Sequence, residues 1–241
     1  MNSDKFSVEE YKKNIELMKN RGFRFHLTSN FEEKSMLMRH DIDLNLEISV
    51  QMSEIEKNMG VRSIYCIMVK NPLYSIDTVK ALSHLHKIMA GGHEIGLHYD
   101  PAIESAMPFE KQLAFLEMKI GRSIRFFSQH QPIKHRLQKN IFMEKYVDLY
   151  GKMYTNEYKY ISDSCMKPRE DIRDAVKSYD RVQYLTHPEF WIIGGKSLDE
   201  FKSKMEKKIE ANKIPVLASL VEEMKESINE RGLIDSEILG N

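Results

Sequence analysis

Met36 to Asp43 reads MLMRHDID, three apolar residues that run straight into Arg39, His40, Asp41 and Asp43. A short apolar run of this kind predicts a buried strand with a charged exit loop, and parallel α/β folds build their active sites at the carboxyl ends of strands. Ile48, Met52, Ile55 and Met59 follow at helical spacing before Gly60, which predicts a helix over 45–59 closed at glycine. Ser63 to Val69 (SIYCIMV) is β-branched and aromatic and predicts a second buried strand. A helix over 76–89 then ends at Gly91 and Gly92, and His93 to His98 is the third strand. Phe109, Leu113, Leu116 and Ile120 mark a further helix before Gly121. Ile124–Ser128 and Val182–Thr186 are further strands, separated by a helix over 136–150 and a loop around Lys167 and Pro168.

Upstream, Ser7 and Glu10 form a capping box for a helix that carries Tyr11, Ile15 and Met18 as far as Gly22. Downstream, Ser197 and Glu200 open a helical segment over 197–232, interrupted at Pro215. Strands that alternate with helices predict parallel βαβ units in one α/β domain over 1–241, with its core in 35–195. Hydrophobic residues make up 41% of the 241, enough for one large core. Lys plus Arg and Asp plus Glu balance at 36 each, which argues against nucleic acid as a partner because phosphate binding needs a concentrated positive field. The lysines between Lys196 and Lys213 are interrupted by glutamates, as on a solvated helix face. Cys66 and Cys165 are too few and too far apart for a disulfide framework, and a reducing compartment is expected. The opening MNSDKFSVEEYKK has no apolar signal region, and no run of about 20 apolar residues follows. A cytoplasmic protein acting on biosynthetic intermediates is therefore expected.

Four clusters carry chemistry. In Arg39 to Asp43, alternation along an extended chain points Asp41 and Asp43 the same way while Ile42 packs away. Neighbouring carboxylates need a cation or a shared proton, although Asp43 also suits the N-cap of the next helix. In Gly91 to Asp100, His98 stands at the carboxyl end of its strand as a candidate metal ligand, and His93, at the other end, reads as structural, inside the barrel. Ser128 to Pro132 places His130 after another strand. Leu185 to Trp191 places His187 after a fourth, with the single tryptophan four residues on, a ring suited to a sugar face or to the core. His84, His86 and His135 fall in helical stretches and read as surface or packing residues.

The order of these motifs resembles the NodB-type polysaccharide deacetylases of carbohydrate esterase family 4, and in particular a divergent branch with an R-H-D-x-D first motif typified by WbmS-like proteins. The likeness runs from Met36 to Trp191. Arg39–Asp43 is similar to the first motif, Gly92–His98 to the second, Phe127–Pro132 to the third, Tyr160–Ser164 to the fourth and Leu185–Pro188 to the fifth. The resemblance implies a deformed (β/α) barrel of about seven strands and a hydrolase that removes an N-acyl group, acetyl or formyl, from a carbohydrate or nucleotide sugar of surface polysaccharide synthesis. It implies a divalent metal, zinc being the expectation, on Asp43 and His98. Asp41 would be the base, His187 the general acid, and Asp163 the group that orients it. Arg39, Trp191 and Tyr99 are assigned to the substrate, and Arg39 either grips substrate phosphate or pairs with the carboxylates. Position 102, where the family places a second histidine, is Ala. The third ligand is therefore His130 or water, and the division of labour between Asp41 and Asp43 stays open. The alternatives are an esterase or other amidase on the same scaffold, or an inactive carbohydrate-binding or scaffold protein; the sequence leaves the oligomeric state open.

Overall fold

The polar string after Met38 is strand, not exit loop. In a computed structural model that describes residues 5–27, 34–131 and 145–210, with the side chains of 208–210 left aside, Ser35–Ile42 is one fully buried eight-residue strand. In chain order the elements are α1 (Val8–Asn20), β1 (Arg24–Phe25), β2 (Ser35–Ile42), α2 (Leu46–Asn58), β3 (Ile64–Ile67), α3 (Val79–Ala90), β4 (Glu94–Tyr99) and α4 (Phe109–Ile120). These are followed by β5 (Phe126–Gln129), β6 (Val147–Asp148), β7 (Lys159–Ser162), α5 (Ile172–Ser178), β8 (Arg181–Thr186), α6 (Pro188–Ile192) and α7 (Leu198–Glu210). β2 stays extended through Arg39, His40 and Asp41 because both its edges are occupied. β8 pairs with it from Ser35 to His40, β1 with Ser35 and Met36, and β3 from Arg39 to Ile42.

The pairings between these strands are parallel, in the order β6-β5-β4-β3-β2-β8-β7, with β1 beside β2, and an isolated antiparallel bridge joins Phe6 to Gly195. The sheet curls until its two edges face each other. Gln183 Nε2 of β8 donates to Leu149 O (3.2 Å) and Tyr154 O (3.0 Å) beyond β6, and the Tyr150 and Tyr160 hydroxyls approach to 3.5 Å. The edge strands β6 and β7 share no ladder, so the result is a deformed parallel (β/α) barrel, open on one side.

Alternation sorts each strand into an inner and an outer set. Leu37, Ile64, Cys66 and Phe126 meet Leu149, Tyr154 and Tyr158 inside the curl. Met36, Met38, Ile42, Tyr65, Ile95 and Leu97 pack outward against α1 to α4 in the larger core. Ser7 accepts from Glu10 N–H at the start of α1, and Ser197 from Glu200 N–H at α7, where the capping boxes predict. Gly121 closes α4 in the left-handed conformation (φ 69°), which favours glycine. Three short strands, β1, β6 and β7, have no counterpart in the pattern. Two-residue strands carry no periodicity, and the Lys159–Ser162 motif is a partly exposed edge. The helix expected over 136–150 lies mostly outside the described residues, and its described end is β6 and the turn after it, not helix. The expected break at Pro215, the segment past 210 and His135 also lie outside them. Among the described residues, no helix is long and apolar enough to cross a membrane.

Gly96 faces the interior of the curl, where a Cβ would sit 3.0 Å from both Cys66 Sγ and the Phe126 carbonyl oxygen. The carbonyl belongs to the paired backbone and cannot yield. Gly96→Ala is expected to lower stability by about 1–3 kcal/mol, the usual cost of overpacking, seen as a lower urea midpoint. An unchanged midpoint would show that the strands can part at no cost.

Candidate active site

Inward alternation on β2 delivers Arg39 and Asp41 to the interior, and Asp43 lies one residue beyond the strand. The cap of α2 is Asn45, whose Oδ1 accepts from Glu47 N–H (2.8 Å) and Ile48 N–H (3.2 Å), so Asp43 is spared that task. His98 stands near the end of β4 and Ser128 near the end of β5, while His130 and His187 each follow the last residue of their strands. The ends of β2, β4, β5 and β8 thus bring their polar residues to one place, across β3, which lies between β4 and β2.

Asp43, His98 and His130 form a triangle. His98 Nε2 is 3.4 Å from Asp43 Oδ1 and 3.1 Å from His130 Nδ1, which is itself 3.6 Å from Asp43 Oδ1. Among the described residues these three form the one group of His, Cys, Asp and Glu donors spaced to hold a metal ion. Bonds of about 2.0–2.2 Å in a tetrahedron put neighbouring donors about 3.3–3.6 Å apart, the scale of this triangle. Asp43 Oδ1 is buried and has no hydrogen-bond partner among the described residues, although the residue as a whole is partly exposed. Burial by itself raises the Asp43 carboxyl pKa, but His130 and His98 outweigh it and hold the group well below its ordinary range; in return, Asp43 overcomes burial and raises His130.

The tautomer of His98 follows from its other nitrogen. Ser128 Oγ donates to Asp41 Oδ1 (2.9 Å) and lies 2.7 Å from His98 Nδ1. With its proton committed to the carboxylate, the hydroxyl accepts from Nδ1–H, which leaves the Nε2 lone pair facing Asp43 and His130. A ligand imidazole needs this arrangement, its far N–H anchored and its near lone pair free.

Arg39 holds the far end of the chain. It is fully enclosed, and its Nε donates to Asp41 Oδ1 (2.9 Å) and its Nη2 to Oδ2 (2.6 Å). Its guanidinium lies 4.3 Å from the centre of the Tyr150 ring across the barrel. Burial would raise Asp41, but Arg39 and then His98 overcome it and keep the carboxyl far below its usual pKa.

His187 enters from β8. Its Nδ1 is 2.7 Å from Asp163 Oδ1, and Asp163 also accepts from the His187 backbone N–H (3.0 Å) and from Trp191 Nε1–H (2.7 Å). Its Nε2 points toward Asp43 Oδ2, 3.7 Å away. Burial disfavours the imidazolium, yet Asp163 and Asp43 prevail and raise its pKa to about 10.

All three residues assigned to substrate are buried. Of the two roles left open for Arg39, the structure shows the pairing with Asp41. Trp191 packs on Phe6 and Tyr11 with its N–H given to Asp163, and Tyr99 turns to the helix side, with its ring on Phe109 and its hydroxyl on Glu104. His93 accepts from Ser63 N–H (3.2 Å) and donates to Ser53 O (3.0 Å) on the helix side of the sheet, not inside the barrel. Beside it, Glu56 accepts from Tyr11, Tyr65 and His40 in a second buried network. Ala102, where the resemblance lacks a histidine, sits in an exposed turn.

Glu189 is a site residue that the sequence reading passed over. It is buried beside His187, and its Oε2 has no hydrogen-bond partner among the described residues. Its signal was present in the motif, a carboxylate two residues after a strand-terminal histidine. Ser128 gave a weaker one, and the loop residues Asn71 and Tyr74, which bond the backbone at Asp43 and Ile42, gave none.

No protein-family model and no curated protein matches this chain. Solved structures to which it is similar include the catalytic domain of a peptidoglycan N-acetylglucosamine deacetylase from Eubacterium rectale, at 12% identity and TM-score 0.48 over 77% of this chain and 88% of that one. A Streptococcus pyogenes deacetylase in complex with acetate is similar at 8% identity and TM-score 0.40 over 53% of this chain; the match spans 64% of that protein, just under two thirds of its length. A pseudoenzyme of carbohydrate esterase family 4 from Bacillus anthracis is similar at 12% identity and TM-score 0.42, over 75% of this chain and 62% of that one. Likenesses of this strength say nothing about activity.

The burial of Glu189 gives a testable pH dependence. Desolvation first, with His187 opposing and Asp43 adding, raises its pKa from 4.5 to about 8. An acid raised on folding contributes stability that is fully present below pH 4.5 and lost as the pH rises toward 8. In chelator-treated protein, Glu189→Gln is therefore expected to raise the melting temperature at pH 8–9 relative to wild type, and to change it little near pH 4.5. An equal shift at both pH values would contradict a protonated, buried Glu189.

Proposed function

We propose that this chain is a metal-dependent hydrolase that cleaves the C–N bond of an N-acyl group, acetyl or formyl, on a carbohydrate or nucleotide sugar. The observation that carries the reading is the triangle of Asp43, His98 and His130, with its orphaned carboxylate oxygen and preset His98 tautomer, facing a histidine oriented by a buried carboxylate. A divalent cation held by these residues, with zinc suited to two imidazoles and a carboxylate, supplies Lewis acidity toward an acyl carbonyl and toward water.

The chain's own groups supply the proton transfers. Asp41 Oδ1 is occupied by Arg39 Nε and Ser128 Oγ, whereas Oδ2, among the described residues, accepts from Arg39 Nη2 alone and keeps a lone pair for a proton from the attacking water. Arg39 keeps that carboxylate ionised at any working pH. His187, its Nδ1–H fixed on Asp163, presents Nε2–H to the departing amine. The sugar part of the substrate is supported by the order of motifs from Arg39 to His187 alone, and a nucleotide sugar fits a cytoplasmic setting. The competing reading, a carbohydrate binder without turnover, is favoured by one observation, the double hold of Arg39 on the proposed base, Asp41.

Metal analysis separates these readings. Wild type is expected to carry stoichiometric metal, Asp43→Ala and His98→Ala to lose it, and His130→Ala to hold it weakly. Wild type should release acetate or formate from N-acylated sugars or nucleotide sugars. His187→Ala should keep its metal and lose about 100-fold to 10,000-fold in turnover, the usual contribution of a general acid. Metal-loaded protein with no acyl release across such a panel favours the binder, and wild type that takes up no metal defeats the proposal.

A further inference from the structure

We infer that Asn71 and Tyr74, in the loop between β3 and α3, are positioning residues for the Asp43 carboxylate, an inference that rests on the cation site proposed above. The β2–β3 ladder runs from Arg39 and Ile64 to Ile42 and Ile67, and Asp43 lies beyond its last rung. A side chain is inserted where the next rung would form. Met68 N–H donates to the Tyr74 hydroxyl (3.0 Å), and that hydroxyl donates to Ile42 O (2.8 Å). One residue further, Asn71 Nδ2 donates to Asp43 O (2.8 Å). Asn71 is itself fixed, because its Oδ1 accepts from Leu73 N–H (2.7 Å).

Two consecutive carbonyls, at Ile42 and Asp43, are thus held by side chains of a loop and not by a strand. The wedge parts β2 from β3 at the point where the ligand must leave the sheet, and it fixes the backbone from which the Asp43 side chain departs. Around the carboxylate itself, His98, His130 and His187 stand 3.4–3.7 Å away, beyond hydrogen-bond distance or geometry. Its Oδ1 has no hydrogen-bond partner among the described residues, so its aim comes from the main chain behind it. Groups behind a ligand that set its direction typically account for 10-fold to 100-fold in metal affinity.

Two near-isosteric variants test this. Asn71→Asp keeps the acceptor for Leu73 N–H but removes the donor to Asp43 O. It also removes the weaker Nδ2 contact to Met68 Sδ (3.3 Å); the charge it adds would by itself favour a cation, so weaker binding reports the lost hold of the loop on the Asp43 backbone. Tyr74→Phe removes the hydroxyl and keeps the ring. Zinc affinity is read by competition with a chromophoric chelator, the cobalt-loaded visible spectrum reports ligand geometry, and the melting temperature of the metal-free protein reports folding. The expected result is zinc binding about 10-fold to 100-fold weaker in each variant and a changed cobalt spectrum, with metal-free melting close to wild type. Wild-type zinc affinity in both variants overturns the inference while leaving the cation site intact. Lower metal-free melting with unchanged affinity also overturns it, since the loop would then serve only the scaffold. Wild type that binds no zinc removes the cation site, and the inference with it.

Discussion

The enclosed ion pair of Arg39 and Asp41 is the constraint on which the site depends. Taking two charges out of water costs several kcal/mol per ion, and the attraction between them offsets this only when geometry is good and the remaining acceptors are met. Here the guanidinium fork meets both carboxylate oxygens, Tyr150 lies against its face, and Ser128 satisfies a further acceptor site, while Arg39 Nη1 has no hydrogen-bond partner among the described residues. The consequences propagate outward. A serine proton pinned to Asp41 leaves the hydroxyl only as an acceptor for His98, and His98 has one nitrogen left to turn toward Asp43 and His130. A buried charge at the bottom of the barrel thereby sets which nitrogen of an imidazole near its rim faces the site with its lone pair.

The same three residues of β2 serve two faces of the sheet. Arg39 and Asp41 point inward to the polar interior, while His40 between them points outward to Glu56 and to Thr186 (2.7 Å). Thr186 immediately precedes His187, and His40 immediately precedes Asp41. The outer network therefore pins the neighbouring ends of β2 and β8 just where their site residues emerge. With Tyr11 of α1, Tyr65 of β3 and His93 joined to it, helices and sheet are tied together by hydrogen bonds as well as by apolar packing. Both networks are buried, so removing any member would leave a neighbour unsatisfied at the cost of its full desolvation.

Much of this was legible along the chain because two of the signals are local. Helices α1 to α4 were readable from apolar spacing of three and four and from their glycine ends. The strands β2 to β5 and β8 were readable from short β-branched and aromatic runs. Alternation placed Asp41 inward and Ile42 in the outer core. What failed were judgements about partners. The charged string at 39–42 stays extended because strands occupy both its edges, which no local window reveals. Trp191 and Tyr99 have the ring chemistry a sugar would need, but their polar atoms are taken by Asp163 and Glu104.

The sequence by itself determined the strand–helix alternation, the polar residues at four strand ends, and the absence of a histidine at position 102, because composition and period are written within single elements. Only the tertiary structure decided that Arg39 belongs to Asp41, that His130 meets His98 and Asp43, that Asn45 rather than Asp43 caps α2, and that Glu189 is a buried acid. Those outcomes depend on which strands lie side by side and how far the sheet curls. Both are properties of long-range packing, where residues some 30 to 150 positions apart compete for the same few ångströms of unhydrated space.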